Sequence, residues 1–161
     1  MTAEEYNISV DEYADNLYRF VLKNVRSEDG ARDIVQDTYE KLWIKKDTVS
    51  FEKVKSYLFT TAYHRFIDVH RKESRMSDFE EVNPGQYSHS QQYSDVKEIL
   101  NEAVEKLPGI QKTVILLRDY EGYSYQEIAE ITGLNESQVK VYIFRGRVFL
   151  KKYIGNLEAV I

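Results

Sequence analysis

A run of cations near the carboxyl-terminal end is the feature of this sequence that most directly indicates a ligand. Between residues 138 and 152 the chain carries five Lys or Arg side chains and no Asp or Glu, although its formal net charge is −5. The five are Lys140, Arg145, Arg147, Lys151 and Lys152. A solvated helix face usually mixes both signs of charge, whereas a purely cationic face can neutralise the phosphates of a nucleic acid. The segment therefore favours contact with DNA.

The residues before and within this run predict the two helices that would position it. Ser124 and Glu127 form a capping-box signature, and Asn135 and Gln138 repeat it eleven residues later. Gly133 lies between them and can adopt the left-handed conformation that ends a helix. This spacing predicts a helix-turn-helix, whose second helix enters the DNA major groove. Such a hairpin can also be plain scaffold, and it is the charge pattern that favours DNA binding.

Composition limits the other functions that the chain can have. The 161 residues are 42% apolar and 30% charged and include no Cys, which excludes disulfides, thiolate nucleophiles and Cys-ligated metal sites. No apolar run approaches the roughly 20 residues that span a bilayer, and no hydrophobic signal core begins the chain. The three His lack metal-ligand spacing, and no glycine-rich phosphate loop is present. We therefore expect a cytoplasmic protein that is not an enzyme, with no catalytic residue, metal or cofactor.

The distribution of apolar residues predicts an all-α fold of two small helical domains. Only two Pro and seven Gly punctuate the chain, and no alternating pattern predicts strands. We predict an N-terminal domain over 1–76, a flexible linker over 77–93 and a C-terminal helix-turn-helix domain over 94–161. The linker is assigned because it is polar, aperiodic and long for a loop inside one domain. Residues 1 to about 9 are expected to be a frayed tail, with the first helix beginning near Asp11.

The second predicted helix has a compact acidic face, formed by Asp33, Gln36, Asp37 and Glu40 with Tyr39 and Trp43 at its flank. From the residues alone, a solvated helix surface is the simpler interpretation of this face.

A third predicted helix places aromatic and cationic side chains on one surface. Tyr57, His64 and Arg71 recur every seven residues, and Thr60 and Lys72 lie close by. Aromatic rings that stack unpaired bases, beside cations that hold the backbone, are typical of proteins that bind single-stranded DNA. The alternative is that Tyr57 and the neighbouring Tyr63 are half-buried packing residues, and the residues alone do not decide between the two.

The order of these segments resembles that of bacterial sigma factors. Residues 33–39, followed by Leu42 and Trp43, resemble the segment that binds core RNA polymerase. Residues 56–59, followed by Ile67, Asp68 and the basic Arg71 and Lys72, resemble the helix that contacts the −10 promoter element. Residues 107–129 resemble the domain that binds the −35 element. The resemblance covers about residues 10–154, and its compact two-domain form is similar to the extracytoplasmic-function (ECF) class.

The resemblance implies a role for three sets of residues. It implies core polymerase contact for Asp33, Gln36, Asp37 and Glu40, and −10 contact for Tyr57, Thr60, His64, Arg71 and Lys72. It implies −35 contact for Asn135, Ser137, Gln138, Lys140, Tyr142, Arg145 and Arg147. The chain departs from the common family run at Val141, Tyr142 and Phe144, so the −35 sequence does not transfer.

The resemblance also implies partners. They are core RNA polymerase, promoter DNA and an anti-sigma factor, for a chain that we expect to be a monomer without membrane insertion. The alternative function is a stand-alone helix-turn-helix regulator that binds duplex DNA without being a polymerase subunit. That alternative would leave the aromatic and basic surface of the third helix unexplained.

Overall fold

A computed structural model of the chain describes residues 1–76 and 96–158. The helices are α1 (Ala3–Val25), α2 (Glu28–Ile44), α3 (Val54–Met76), α4 (Val96–Glu105), α5 (Gly109–Ile115), α6 (Tyr125–Thr132) and α7 (Glu136–Glu158). A short 3-10 turn (Phe51–Lys53) precedes α3, and a π-helical segment (Leu116–Tyr120) continues α5. These ranges hold no strand, so the predicted all-α class is confirmed for them. The predicted linker over 77–93 lies outside the described residues.

The amino-terminal segment is helical, and the prediction that residues 1 to 9 form a frayed tail is wrong. Helix α1 begins at Ala3 because Thr2 and Glu5 form a reciprocal capping box. The Glu5 N–H donates to Thr2 Oγ1 at 3.1 Å, and the Thr2 N–H donates to Glu5 Oε1 at 2.9 Å. The Tyr6 hydroxyl then donates to the carbonyl oxygen of Tyr39 at 3.2 Å, which ties this first turn to α2.

Helices α1, α2 and α3 form one unit around an aromatic centre. The ring of Phe20 lies 5.2 Å from that of Phe59 and 5.7 Å from that of Phe66, in the tilted and edge-to-face geometries that aromatic pairs prefer. Fully buried aliphatic side chains surround them, namely Leu17, Val21, Ala31, Leu42, Leu58 and Ala62. The apolar periodicity of all three helices thus faces a single core.

Helices α4 to α7 form the second unit, and its turns follow the predicted capping residues. Ser124 and Glu127 form the capping box that begins α6, and Gly133 ends that helix at a φ of 78°. Gly122 also has a positive φ, 75°, where the chain leaves the π-helical segment. Only a residue without Cβ takes this conformation at little cost, so the two glycines fix the angles at which α6 enters and leaves.

The two units pack against each other. Lys112 Nζ on α5 donates to the carbonyl oxygen of Lys23 on α1 at 2.9 Å, and Thr113 Oγ1 donates to Asn24 Oδ1 at 3.2 Å. The rings of Phe59 on α3 and Tyr123 lie 5.5 Å apart. The end of α1 and the first half of α3 therefore support α5 and the start of α6. No helix within the described ranges has the length and apolar content needed to cross a membrane.

Gly146 allows α7 to approach α5 closely. A Cβ atom added there would lie 2.9 Å from Cγ1 of Ile115, whose side chain is 1% exposed. We expect Gly146→Ala to lower the free energy of unfolding by about 1–2 kcal/mol, because overpacking outweighs the better helix propensity of Ala. Chemical denaturation followed by circular dichroism measures this change.

Gly155 is the matched control for that substitution, because it lies in the same helix and has open space around its Cα. We expect Gly155→Ala to leave stability unchanged or raise it by up to about 1 kcal/mol. Equal effects of the two substitutions would show that the contact with Ile115 places no constraint on residue 146.

Lys112 gives the packed arrangement a pH dependence. It is 5% exposed, and burial, reinforced by the charge of Arg26 and opposed by that of Glu105, lowers its pKa to about 8. Between about pH 8 and the ordinary lysine pKa, the unfolded chain keeps a proton on Lys112 that the folded chain has lost. The free energy of unfolding therefore rises with pH in that interval. We expect the Lys112 contribution to rise by about 1.4 kcal/mol between pH 7 and 9.

The Lys112→Met variant isolates this contribution, since Met keeps an unbranched apolar side chain without a titrating group. We expect the unfolding free energy of the wild type, relative to that of Lys112→Met, to rise between pH 7 and pH 9. Urea denaturation at each pH measures this difference. A difference that is the same at pH 7 and pH 9 would contradict the assignment.

Candidate nucleic-acid and protein interfaces

The amino-terminal end of α7 is fixed by its own polar residues. The Gln138 N–H donates to Asn135 Oδ1 at 2.7 Å, and the Asn135 N–H donates to Gln138 Oε1 at 3.0 Å. This is the capping box that the sequence predicts. Because both amide oxygens accept backbone hydrogen bonds, the two side-chain NH₂ groups are left as donors toward a ligand.

An open depression of about 320 Å³ lies over the first half of α7. It is lined by Asn135, Ser137, Gln138, Val141, Tyr142 and Arg145. The structure therefore brings together five of the seven residues assigned to −35 contact and adds Val141, which was not among them. Tyr142 is only half exposed, because part of its ring packs against the core.

The other two residues assigned to −35 contact lie to one side of this depression. Arg147 binds Asp119 through two contacts, Nη2 to Oδ1 at 2.6 Å and Nε to Oδ2 at 3.3 Å. The hydrogen bonds to Asp119 raise the pKa of Arg147, and the Asp119 carboxylate offsets the positive charge of Arg147. Lys140 lies with its Nζ 5.5 Å from the ring centre of Tyr125. In the folded chain, therefore, at least one of the five cations, Arg147, is paired with a carboxylate.

Tyr125 is a residue of this surface that sequence reasoning missed. Its ring stacks against the guanidinium group of Arg118 at 4.6 Å and lies near Lys140, so it holds two cations beside the start of α6. Tyr125 directly follows Ser124, the residue that caps α6, and this place beside the predicted cap is the indication of its role that the sequence offers. Arg118 could not have been found, because it comes from the preceding helical segment.

The residues of α3 assigned to −10 contact lie on one exposed face. His64, Arg71 and Lys72 are exposed, while Tyr57 and Thr60 are half-buried. Helical geometry places this face opposite Lys55 and Phe59, which contact Glu121 and Tyr123 of the second unit. The packing of the two units therefore leaves the face uncovered. Tyr63, by contrast, is 8% exposed and is a core residue.

The acidic face of α2 is exposed and continues into apolar side chains. Asp33, Gln36 and Glu40 are exposed, and Asp37 is half-buried beside Arg65, with 3.4 Å between Oδ2 and Nε. Further along the helix Trp43 is 45% exposed and Ile44 is 72% exposed. Acidic groups beside exposed apolar ones are typical of a protein-binding surface rather than a purely solvated helix face.

The environments of the two aromatic residues that flank this face differ. Tyr39, which the sequence places at its flank, is instead buried at 7% exposure, and its hydroxyl donates to the carbonyl oxygen of Ser9 at 2.9 Å. Burial raises its pKa. The Trp43 ring stays at the surface, held by Tyr6 at 5.0 Å and by Lys46 Nζ at 4.4 Å.

No group of His, Cys, Asp and Glu within 1–76 or 96–158 is arranged to hold a metal ion.

Comparison with known proteins gives matches that span both units. Residues 10–76 match sigma-70 region 2, and residues 97–150 match sigma-70 region 4. The RNA polymerase sigma factor SigV of Bacillus subtilis (strain 168) is 33% identical over 139 residues, covering 84% of this chain and 82% of SigV. The ECF RNA polymerase sigma factor SigM of the same organism is 28% identical over 146 residues, covering 86% of this chain and 88% of SigM.

Solved structures are similar over the same extent. The sigma factor RpoE of Bartonella quintana, in complex with the anti-sigma factor NepR, has a TM-score of 0.81 and 25% identity, covering 95% of this chain and 98% of that one. CnrH, solved with the cytosolic domain of CnrY, has a TM-score of 0.68 at 20% identity and covers 94% of this chain and 88% of its own, which supports the fold alone. With both regions present in order and relatives matched over most of their length, the chain belongs to the ECF class of the sigma-70 family of RNA polymerase sigma factors.

Proposed function

We propose that this sigma factor binds core RNA polymerase through α2 and directs it to promoters through α3 and α7. The observation that carries the proposal is the exposure of three separate surfaces while the two units pack together. The α2 surface is acidic and apolar, the α3 surface is aromatic and basic, and the α7 surface is an open depression with both polar and apolar side chains beside cations. Each lies in a matched sigma-70 region.

The α7 surface is suited to a duplex. Ser137, Gln138 and Arg145 line an open depression near the start of the helix, the part of a recognition helix that meets base edges. Arg pairs with guanine and Gln with adenine through two hydrogen bonds each, while Lys140 lies to one side, where a cation can contact phosphate. We assign this surface to the −35 element.

The α3 surface is suited to an opened strand. Tyr57 is fixed by partial burial, so its ring can stack a base at little entropic cost, and His64 lies two helical turns further along the same face. Arg71 and Lys72 extend this face toward the end of the helix and can follow the sugar-phosphate backbone. We assign this surface to the −10 element.

The α2 surface is suited to a protein. Glu40 and the exposed Trp43 and Ile44 combine charge with apolar area, and the aromatic ring gives a rigid anchor. Since Asp37 is engaged with Arg65, we place the main polymerase contact at Asp33, Gln36 and Glu40 with the two apolar residues.

We further propose one more protein partner for the chain and no catalytic activity of its own. The similar sigma factor RpoE was solved in complex with the anti-sigma factor NepR, and we propose that an anti-sigma factor also holds this chain. The chain would act in the cytoplasm as a monomer, with no catalytic residue and no cofactor, since the reaction belongs to the polymerase.

Run-off transcription with purified bacterial core polymerase tests the proposal. Adding the chain should give new transcripts from promoters of its own genome, including that upstream of its gene. Glu40→Arg should reduce these transcripts at limiting chain concentration, whereas Asp11→Arg, the same charge change at an exposed position of α1, should not. Duplex binding by the chain alone, with no effect on polymerase, would instead support the stand-alone regulator.

Arg145 and Arg147 form a matched pair for the α7 surface. We expect Arg145→Ala to weaken promoter binding by the polymerase complex about tenfold, because Arg145 faces the depression. Arg147→Ala should weaken binding less and instead lower stability by up to about 1 kcal/mol, since it removes a half-exposed ion pair with Asp119. Filter binding over a salt series and urea denaturation separate the two effects, and equal losses of DNA affinity would contradict the assignment.

A further inference from the structure

The centre of the exposed face of α7 is apolar. Val141 is 44% exposed, Phe144 is 68% exposed and Val148 is 49% exposed. Their spacing of three and four residues places them in one stripe along the helix. Polar side chains are the usual occupants of such positions, so an apolar stripe in the middle of a ligand-binding face indicates a contact with something apolar.

Val141 is the member of this stripe that lies within the depression. Ser137 lies one turn before it, and Gln138 and Arg145 line the same depression beside it. Lys140 is on the opposite flank, toward Tyr125. Val148 is two turns further along, about 10 Å in helical rise, and is not among the residues that line the depression. Val141 is therefore the apolar side chain closest to the groups that can read bases.

The chemistry of the major groove restricts what Val141 can face. The base edges there present hydrogen-bond donors and acceptors, together with one apolar group, the C5 methyl of thymine. A valine placed against a guanine, adenine or cytosine edge would take water from a polar atom and offer no partner in return, which is unfavourable. Against a thymine methyl it buries apolar surface on both sides.

We propose that Val141 is a specificity-determining residue that contacts the C5 methyl of a thymine in the −35 element. The inference rests on the proposed function, and it adds which base the centre of α7 selects. Phe144, one turn further, borders the same contact and limits the entry of water. Gln138 and Arg145 then read the polar edges of adjacent base pairs.

The charge around the stripe favours DNA as its occupant over a protein helix. The five cations between residues 138 and 152, with no acid among them, flank the stripe on both sides. Arg147 is offset by Asp119, but Lys140, Arg145, Lys151 and Lys152 form no ion pair with a described residue. A polyanion with a methyl group in its groove matches both the cationic flanks and the apolar centre.

Removing single methyl groups from the promoter tests the inference. The complex of core polymerase with the full chain is bound to a promoter identified by run-off transcription. Each −35 thymine in either strand is replaced in turn by deoxyuridine, which lacks only the C5 methyl. We expect one replacement to weaken binding by about fourfold, the effect of one buried methyl group. With Val141→Ala that replacement should have no further effect, while binding to the unmodified promoter should already be weaker by a similar factor.

Val148→Ala is the matched control, because it removes the same atoms from the same face outside the depression. It should keep the wild-type sensitivity to deoxyuridine. Both variants place Ala at an exposed helical position, where it favours the helix, so both should fold.

The remaining outcomes overturn the inference. They are a −35 element without thymine, no sensitive thymine, or a sensitivity that Val141→Ala retains. In each case chain-dependent transcription still supports the proposed function, and the stripe is then available to a protein helix. If the chain directs no transcription at all, the proposed function itself fails and the inference fails with it.

Discussion

The position of α7 depends on one close contact, between Gly146 and the buried side chain of Ile115. A Cβ atom at residue 146 would lie 2.9 Å from Ile115 Cγ1, so the absence of a side chain lets the two helices approach. Ile143 and Leu150 lie on the same side of α7 and are buried with Ile115 in the core. Because this side is fixed, the opposite side must face outward, and it carries the depression with Gln138, Val141 and Arg145. A packing constraint thus determines which residues can reach a ligand.

The contact between the two units is a second constraint, and it is more polar than the cores it joins. Asn24, Lys112 and Thr113 are all less than 9% exposed, and each has a hydrogen-bond partner across or beside the boundary. Burying an ammonium group is unfavourable, and its hydrogen bond to the last turn of α1 recovers part of that cost. A boundary of this kind separates more readily than an apolar one. These hydrogen bonds and the ring contact of Phe59 with Tyr123 together hold the two candidate DNA faces in their present relation.

The parts of this structure that the sequence predicts are those set by neighbours within a few residues. The two capping boxes of the helix-turn-helix and the turn at Gly133 follow from spacings of three residues, and they are present as predicted. The capping box at Thr2 and Glu5 is equally local, but it precedes the first apolar periodic residues, so the apolar pattern does not indicate the start of α1. What could not be predicted depends on distant partners. Asp119 binds Arg147 from 28 residues away, and Tyr39 is buried by residues of α1.

The segregation of charge explains why three modest surfaces would serve this protein better than one strong one. The whole chain is acidic, at −5, so its body repels DNA at long range, and the ion pairs of Arg65 and Arg147 remove two further cations from use. The remaining cations of α3 and α7 must act against this repulsion, and affinity for DNA falls steeply as phosphate contacts are lost. When both helices engage one promoter through one polymerase, the second contact becomes intramolecular and its effective concentration rises. Separate contacts that are each weak would then give stronger binding in the polymerase complex than in the free chain.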